Sequence, residues 1–380
     1  MKLCEDSRCF GCCACMNVCP KGAITMKENA HGVLLPEIDD SLCINCGLCA
    51  KVCPSLRLPQ MQTPAQCLAA WSTNTDLRKT AASAGIISAL SERVVQNGGV
   101  VFGTRFEQGK LIFDHTETVS GLLAFQGSKY VHAAVGDAYQ KVKVYLSQGR
   151  QVLFPGTPCQ IAGLKQFLRR DDDNLLTVDL MCHGVTTGKY LNEYAHQKLN
   201  VKEFSNILFR GEFGQAFVVY QNGKPVHHRL KLLSPFYMAY VKGLLHRENC
   251  YQCPFASTER CSDLTAGDFW GLDRSALKGD VTDIPFPSLV LVNTPKGQKF
   301  LSESAVYAEE RPLSEAVAGN VQLTRPCVRH PDRDLFLQHY QSVGFYAALR
   351  KTPFHRRTQR QAAKYRVQLF LHKIKHAIIK

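Results

Sequence analysis

Residues 151–181, "QVLFPGTPCQIAGLKQFLRRDDDNLLTVDLM", decide the fold. A short apolar run at 151–156 is followed by apolar residues at helical spacing over 159–170, then by a second apolar run at 175–181. A strand, a helix and a strand in this order predict parallel pairing through a right-handed crossover. The helical pattern "AYQKVKVYLSQG" (138–149) comes just before, so the alternation indicates a layered α/β architecture. Open sheets of this kind bind ligands at the carboxyl ends of their strands. Cys159 and Cys182 each follow such an end, so both are expected on one rim. If the strands are neighbours, about 4.8 Å apart, the two thiols emerge side by side. Taken alone, the pair reads equally well as buried structural cysteines.

The same character extends outward in both directions. "AGIISALSERVVQNGG" is an amphipathic helix closed by a glycine pair, and "VVFGTRF" and "LIFDHTET" are strands around the turn "EQGK". "FVVYQNGKPVHH" reads as a hairpin on Asn222-Gly223, and "SLVLVNTPKGQKFLSES" as a buried strand, a turn and a helix. Residues 67–334 are therefore expected to form one large mixed α/β domain with an antiparallel insertion around 200–230. The proline-containing stretch "PSLRLPQMQTPAQ" (54–66) is an extended linker in front of it.

Ahead of the linker lies a duplicated module, 1–58. Cys9, Cys12, Cys15 and Cys19-Pro20 have the spacing C-x2-C-x2-C-x3-C-P, and Cys43, Cys46, Cys49 and Cys53-Pro54 repeat it 34 residues later. Three close thiolates wrap one face of a [4Fe-4S] cube while the fourth reaches across to the other cube. The crossover assigns Cys9, Cys12, Cys15 and Cys53 to one cluster and Cys43, Cys46, Cys49 and Cys19 to the other. The spacing resembles that of the bacterial two-cluster ferredoxin domain. Zinc knuckles rarely repeat a three-plus-one spacing with trailing prolines. Cys4 and Cys13 lie outside the pattern, and Cys13 reads as a packing residue.

Composition narrows the setting. The chain of 380 residues holds 17 cysteines, no stretch near the roughly 18 apolar residues of a membrane span, and no signal-peptide pattern at its start. A cytoplasmic protein with reduced thiols used for metal or redox chemistry is the expectation. The net charge of +14 is concentrated at the end: after Asp334 there are ten Lys or Arg and no acid. In "RRTQRQAAKYRVQLFLHKIKHAIIK" (356–380), Ala363, Val367, Phe370, Leu371, Ile374, Ala377 and Ile378 share a helical face flanked by Lys364, Arg366, Lys373, Lys375 and Lys380. A basic helical tail, 335–380, fits either peripheral contact with an anionic inner-membrane face or packing on the domain. No motif supports a nucleic-acid partner.

A third cysteine group stands in "CYQCPFASTERCSDLTAGDFWG" (250–271). Cys250, Cys253 and Cys261 with His246 have the makings of a zinc site. Alternatively Cys250 and Cys253 join Cys159 and Cys182 around a third [4Fe-4S] cluster, with Cys261 as spare or substitute. Local spacing leaves both open.

The ordered set "QGSKYVHA" (126–133), "VLFPGTPCQIAGLKQFL" (152–168), "DLMCHGV" (179–185) and the 250–271 stretch resembles the coenzyme F-420 hydrogenase/dehydrogenase beta-subunit family, in the arrangement of bacterial members with a ferredoxin module in front. The resemblance implies an α/β (α+β mixed) fold, a core [4Fe-4S] cluster on Cys159, Cys182, Cys250 and Cys253, and a neighbouring FAD. It implies that Gly127, Ser128, Lys129 and Tyr130, and Gly156, Thr157, Pro158 and Gln160, line the flavin or substrate pocket. Lys129 then has a catalytic reading, stabilising the reduced ring, against that of an ordinary lysine. His183 reads as a proton carrier or a support of the cluster region, and Asp268 as a pocket polar group or a turn cap. "ASAGIIS" departs from the family, with Ser83, Ala84 and Gly85 where a serine and a glycine pair are expected. The resulting expectation is an iron-sulfur flavoprotein oxidoreductase acting on a small redox substrate. A non-catalytic electron-transfer subunit serving a redox partner protein is the alternative; a zinc-and-cluster protein docking on membrane or nucleic acid is a third.

Overall fold

The computed structural model describes residues 2–210 and 216–378, with side chains through residue 368. In the N-terminal module, β1 (Ile24–Glu28) and β2 (Leu34–Ile38) pair antiparallel between the two cysteine repeats. Each repeat carries a short helix, Ala14–Val18 and Leu48–Lys51, entered through a left-handed residue, Cys13 and Gly47 respectively.

The remaining chain is built on an eight-stranded mixed sheet. Its strands are β3 (Gln66–Ser72), β4 (Val100–Glu107), β5 (Lys110–Thr116), β6 (Val152–Gly156) and β7 (Leu175–Leu180), and, after a three-stranded antiparallel sheet of β8 (Asn206–Leu208), β9 (Ala216–Gln221) and β10 (Lys224–Leu230), β11 (Leu264–Asp268), β12 (Ser288–Val292) and β13 (Val306–Glu310). The order is β13-β3-β12-β11-β7-β6-β4-β5. The central run β11-β7-β6-β4 is parallel and the flanking pairs are antiparallel. The crossover expected from 151–181 is thus present, with β6 and β7 adjacent. The β8–β10 sheet is the antiparallel insertion, its Asn222-Gly223 turn having positive φ at both residues (51° and 75°), as a type I′ turn requires.

Strand alternation covers both faces of the sheet. Val152 and Phe154 point into a large core with Tyr139, Ile161 and Phe167, while Leu153, Leu176 and Val178 point the other way against Leu90, Val94 and Phe300. The helix Pro158–Leu168 starts where two signals coincide. Pro158 occupies its first turn, and the buried Gln160 side chain accepts from the Thr157 N–H (3.0 Å) as in a capping box.

The large core crosses two of the expected boundaries. Phe10, Cys12, Ala14 and Val52 of the N-terminal module are buried in it. So are Phe336, Tyr340, Phe345, Leu349 and Phe354, of which the first three pack around Tyr190 and Tyr194. The segment expected to begin a separate tail at 335 therefore belongs to the domain up to about Phe354, because its aromatic residues outweigh its basic ones in the packing. Beyond it the helix Pro353–Ile378 exposes Ala363, Lys364, Arg366 and Val367. The side chains of Phe370, Leu371, Lys373, Ile374, Lys375, Ala377, Ile378 and Lys380 lie outside those described. Among the described residues no helix is long and apolar enough to cross a membrane.

Candidate functional site

The parallel strands bring the chemistry to one rim. β6 ends at Gly156, from which Thr157 leads to Cys159 in the first helical turn; β7 ends at Leu180, two residues before Cys182; β11 ends at Asp268. The Arg247–Cys253 turn supplies Cys250 and Cys253 against that rim. The Cys250 N–H donates to the Arg247 carbonyl (3.0 Å), and the Arg247 N–H to the Val185 carbonyl (3.0 Å), tying this turn to the loop that carries Cys182.

Cys159, Cys182, Cys250 and Cys253 converge: each of the six pairs among them interacts electrostatically. Burial pushes all four thiols up, Cys159 to about 11 and Cys253 to about 12. Thiols so placed stay protonated until a metal centre displaces the protons. Cys261 does not join them. It is buried beside the Arg260–Asp179 ion pair (3.8 Å), and burial, then the Asp179 charge, push its thiol up to about 12. Its place in the sequence, after "FASTER", carries it toward the start of β11, beside Asp179. His246 lies tilted (39°) against Tyr240 (4.8 Å between centroids), with its Nδ1 3.8 Å from the Sγ of Cys327. Among the described residues no three His, Cys, Asp or Glu side chains are set to hold a single metal ion.

The N-terminal thiols fall into the two crossed sets. Cys9 interacts with Cys12, Cys15 and Cys53, and Cys15 with Cys12 and Cys53. Cys19, Cys43, Cys46 and Cys49 ring a second small cavity closed by Ile24 and Ile38. The first set is buried, whereas Cys46 of the second is exposed, next to the exposed Ile44 and Leu42. Cys4, outside the repeat, stands by the first set: hydrogen bonding from its thiol holds Cys53 down to about 6 and Cys9 to about 7. No spacing rule would have found it.

Next to Cys182 opens a cavity of about 300 Å³, within the usual range for a small-molecule site. Gly127, Ser128, Lys129, Tyr130, Gly156, Thr157, Gln160, His183 and Asp268 all line it. Pro158 does not, because as the first residue of its helix it is buried behind the wall. Lys129 Nζ donates to the carbonyls of Gln126 (2.8 Å), Phe125 (3.1 Å) and Gly127 (3.4 Å), and burial lowers its pKa to about 8. It faces no carboxylate there, so a cation is held in the wall by backbone dipoles. Asp268 is paired with Arg210 (3.0 Å), another lining residue. His183 stands at the cavity mouth within reach of the Gln322 amide, and the surrounding protein pushes its pKa down. Tyr130 stacks on Tyr240 (4.8 Å, 16°), whose hydroxyl donates to the Gly184 carbonyl (2.9 Å).

Sequence reasoning missed several wall residues. Arg210 comes from the β8–β9 connection, and Asn320, with an unpartnered buried Oδ1, from a late turn. Ser83, Ile87 and Ser88 also contribute, so the departing "ASAGIIS" segment does reach the cavity. It brings the N-terminus of the helix Ile86–Gln96, entered through Ser83 (φ 58°) and Gly85 (φ 81°). The serine before an amphipathic helix was the available signal.

A buried junction connects the two halves. A Cβ on Gly163 would lie 3.0 Å from the Cys12 Sγ, one helical turn beyond Cys159. Cys12 of the first N-terminal set therefore packs on the helix at a point about 6 Å of rise, four residues at 1.5 Å each, beyond Cys159.

Two family models match parts of the chain. Residues 149–316 match the C-terminal part of the family described as "Coenzyme F420 hydrogenase/dehydrogenase, beta subunit", and residues 8–56 match the 4Fe-4S dicluster domain. The stretch 149–316, 168 of the chain's 380 residues, is where the likeness to this family lies. The match over 8–56 makes the N-terminal module an iron-sulfur domain of the dicluster type. A solved structure, of the xenon-derivatised F420-reducing [NiFe] hydrogenase complex from Methanosarcina barkeri, is similar at 16% identity and a TM-score of 0.46, over 80% of this chain and 94% of that one. No curated protein matches.

Proposed function

We propose that the chain is a flavin-dependent iron-sulfur oxidoreductase, carrying electrons between the exposed Cys46 end and a flavin beside Cys182 that serves a small redox substrate. The single observation that carries this reading is the line of sites: exposed Cys46, the buried Cys9 set, the rim thiols, with Cys159 one helical turn from the point where Cys12 packs, and the cavity lined by Cys182 itself. When bound, [4Fe-4S] clusters supply one-electron carriers and FAD converts single electrons to pairs.

The residues fit these groups. Cys9, Cys12, Cys15 and Cys53, Cys19, Cys43, Cys46 and Cys49, and Cys159, Cys182, Cys250 and Cys253 would hold three cubanes. In the cavity, Tyr130 and Tyr240 offer aromatic surface, Lys129 and Arg210 offer cations, and the helix beginning at Ile86 offers free N–H groups to a pyrophosphate. Asn320 Oδ1 and His132 Nε2 are buried polar atoms left for a ligand's donors. His183, at the mouth, is placed to hand a proton between solvent and the cavity.

A second reading, a subunit that passes electrons to a partner enzyme, is favoured by the apolar side chains around Cys46. Leu42 and Ile44 are 51% and 57% exposed, as a protein-docking surface would need. Anaerobic reduction of the reconstituted protein by reduced methyl viologen tests the proposal. Bleaching of the flavin absorption in the native protein, and none in Cys182→Ser with its flavin retained, is expected; equal bleaching in both contradicts it.

A further inference from the structure

Arg247 is 2% exposed, and among the described residues no carboxylate pairs with it. Its guanidinium donates to the carbonyls of Phe10 (2.9 Å), Cys9 (3.0 Å) and Leu34 (3.4 Å), and its Nε has no partner. Its backbone meanwhile bonds Cys250 and Val185 (3.0 Å each). One residue is therefore bonded to a ligand of the first N-terminal set, to a ligand of the rim set and to the loop bearing Cys182. The packing around it leaves no slack. Gly11 takes a φ of +63° there, and a Cβ on it would meet Nη1 at 2.6 Å and the His132 ring at 3.0 Å.

Burying a guanidinium away from water is unfavourable unless negative charge balances it. Carbonyl dipoles satisfy its N–H groups but supply no net charge. The thiol sets on either side do so once loaded, because four thiolates outweigh the positive charge of a cube. We propose that Arg247 is the shared counter-cation of two iron-sulfur sites, the Cys9 set and the Cys159 set, raising both reduction potentials together so that the electron crosses between them without a large uphill step. This rests on the reading that both sets hold clusters. The sign follows from charge: each reduction adds one electron to a site beside a fixed cation in a poorly screened interior, so the cation favours the reduced form. The Cys43 set, remote from Arg247 and near solvent, is left out of the effect.

The test is a dithionite titration of the anaerobic holoprotein, followed by electron paramagnetic resonance, in the native form and in Arg247→Gln and Arg247→Lys. The native protein should contain about twelve irons. In Arg247→Gln two of the three potentials should fall by roughly 59 mV or more, a tenfold change in the reduced-to-oxidised ratio, while the third stays. Arg247→Lys, keeping the charge, should restore both. A native protein with only about eight irons removes the underlying reading and the proposal with it. With twelve irons present, unchanged potentials in Arg247→Gln overturn the inference alone. If Arg247→Gln loses its iron, Arg247→Lys decides: native-like potentials support the proposal, and lost iron or lowered potentials overturn it in favour of a purely structural arginine.

Discussion

Cys12 packs directly on Gly163, whose missing side chain leaves room for the thiol between the N-terminal module and the helix that begins beside Cys159. The place a Cβ would take at Gly163 is also 2.9 Å from the Tyr139 hydroxyl. Gly163→Leu should therefore force the module off the helix, with an overpacking cost of about 1–3 kcal/mol. The expected result is a protein that keeps its rim cluster and loses electron transfer from the N-terminal module. Rapid-mixing reduction, comparing flavin bleaching with cluster bleaching, reads this out; undiminished flavin reduction would show that the contact is irrelevant to the path.

On the proposed reading, the rim cysteines are cluster ligands and Cys261 is a bystander. Cys159→Ser, Cys182→Ser and Cys250→Ser should each lower the iron content by about four per chain, one cubane. Cys261→Ala should keep all of it and lose only about 1 kcal/mol of stability, as for one buried methyl-sized group. Iron assays with urea unfolding of the purified variants check both. A Cys261→Ala protein short of four irons would restore that residue to the site.

On the proposed reading, Lys129 should make flavin binding pH-dependent. Burial sets its pKa near 8, below the ordinary ~10.4. Between these values the unfolded chain binds the proton and the folded protein does not, so stability rises with pH through that window. Affinity for an anionic flavin should run oppositely, weakening as the cation is lost above about 8. Of the charged neighbours, Arg210 is paired with Asp268 and its own pKa is raised, and burial lowers that of His183. Flavin fluorescence titrations at successive pH values should show this weakening in the native protein and a flat, weaker profile in Lys129→Met. A sloping profile in Lys129→Met assigns the dependence to another group.

The sequence made the sheet and most of the rim legible because both depend on local order. The β6–helix–β7 crossover follows from apolar periodicity, and it alone predicts that Cys159 and Cys182 meet. The eight N-terminal cysteines follow from spacing. Spacing could not separate Cys253 from Cys261, since the difference lies in where the chain turns into β11. Nor could it find Arg247, Arg210 or Cys4, whose partners are 237, 58 and 49 residues away. The tail boundary at 335 is misplaced because ten basic residues without an acid obscure Phe336, Tyr340 and Phe345, which the core takes up.

The central claim is that the rim thiols hold a third cluster beside a flavin, and composition tests it most directly. Anaerobically purified protein should assay at about twelve irons, about twelve sulfides and one FAD per chain, with no zinc. About eight irons with one zinc, or no flavin after reconstitution with FAD, would contradict it.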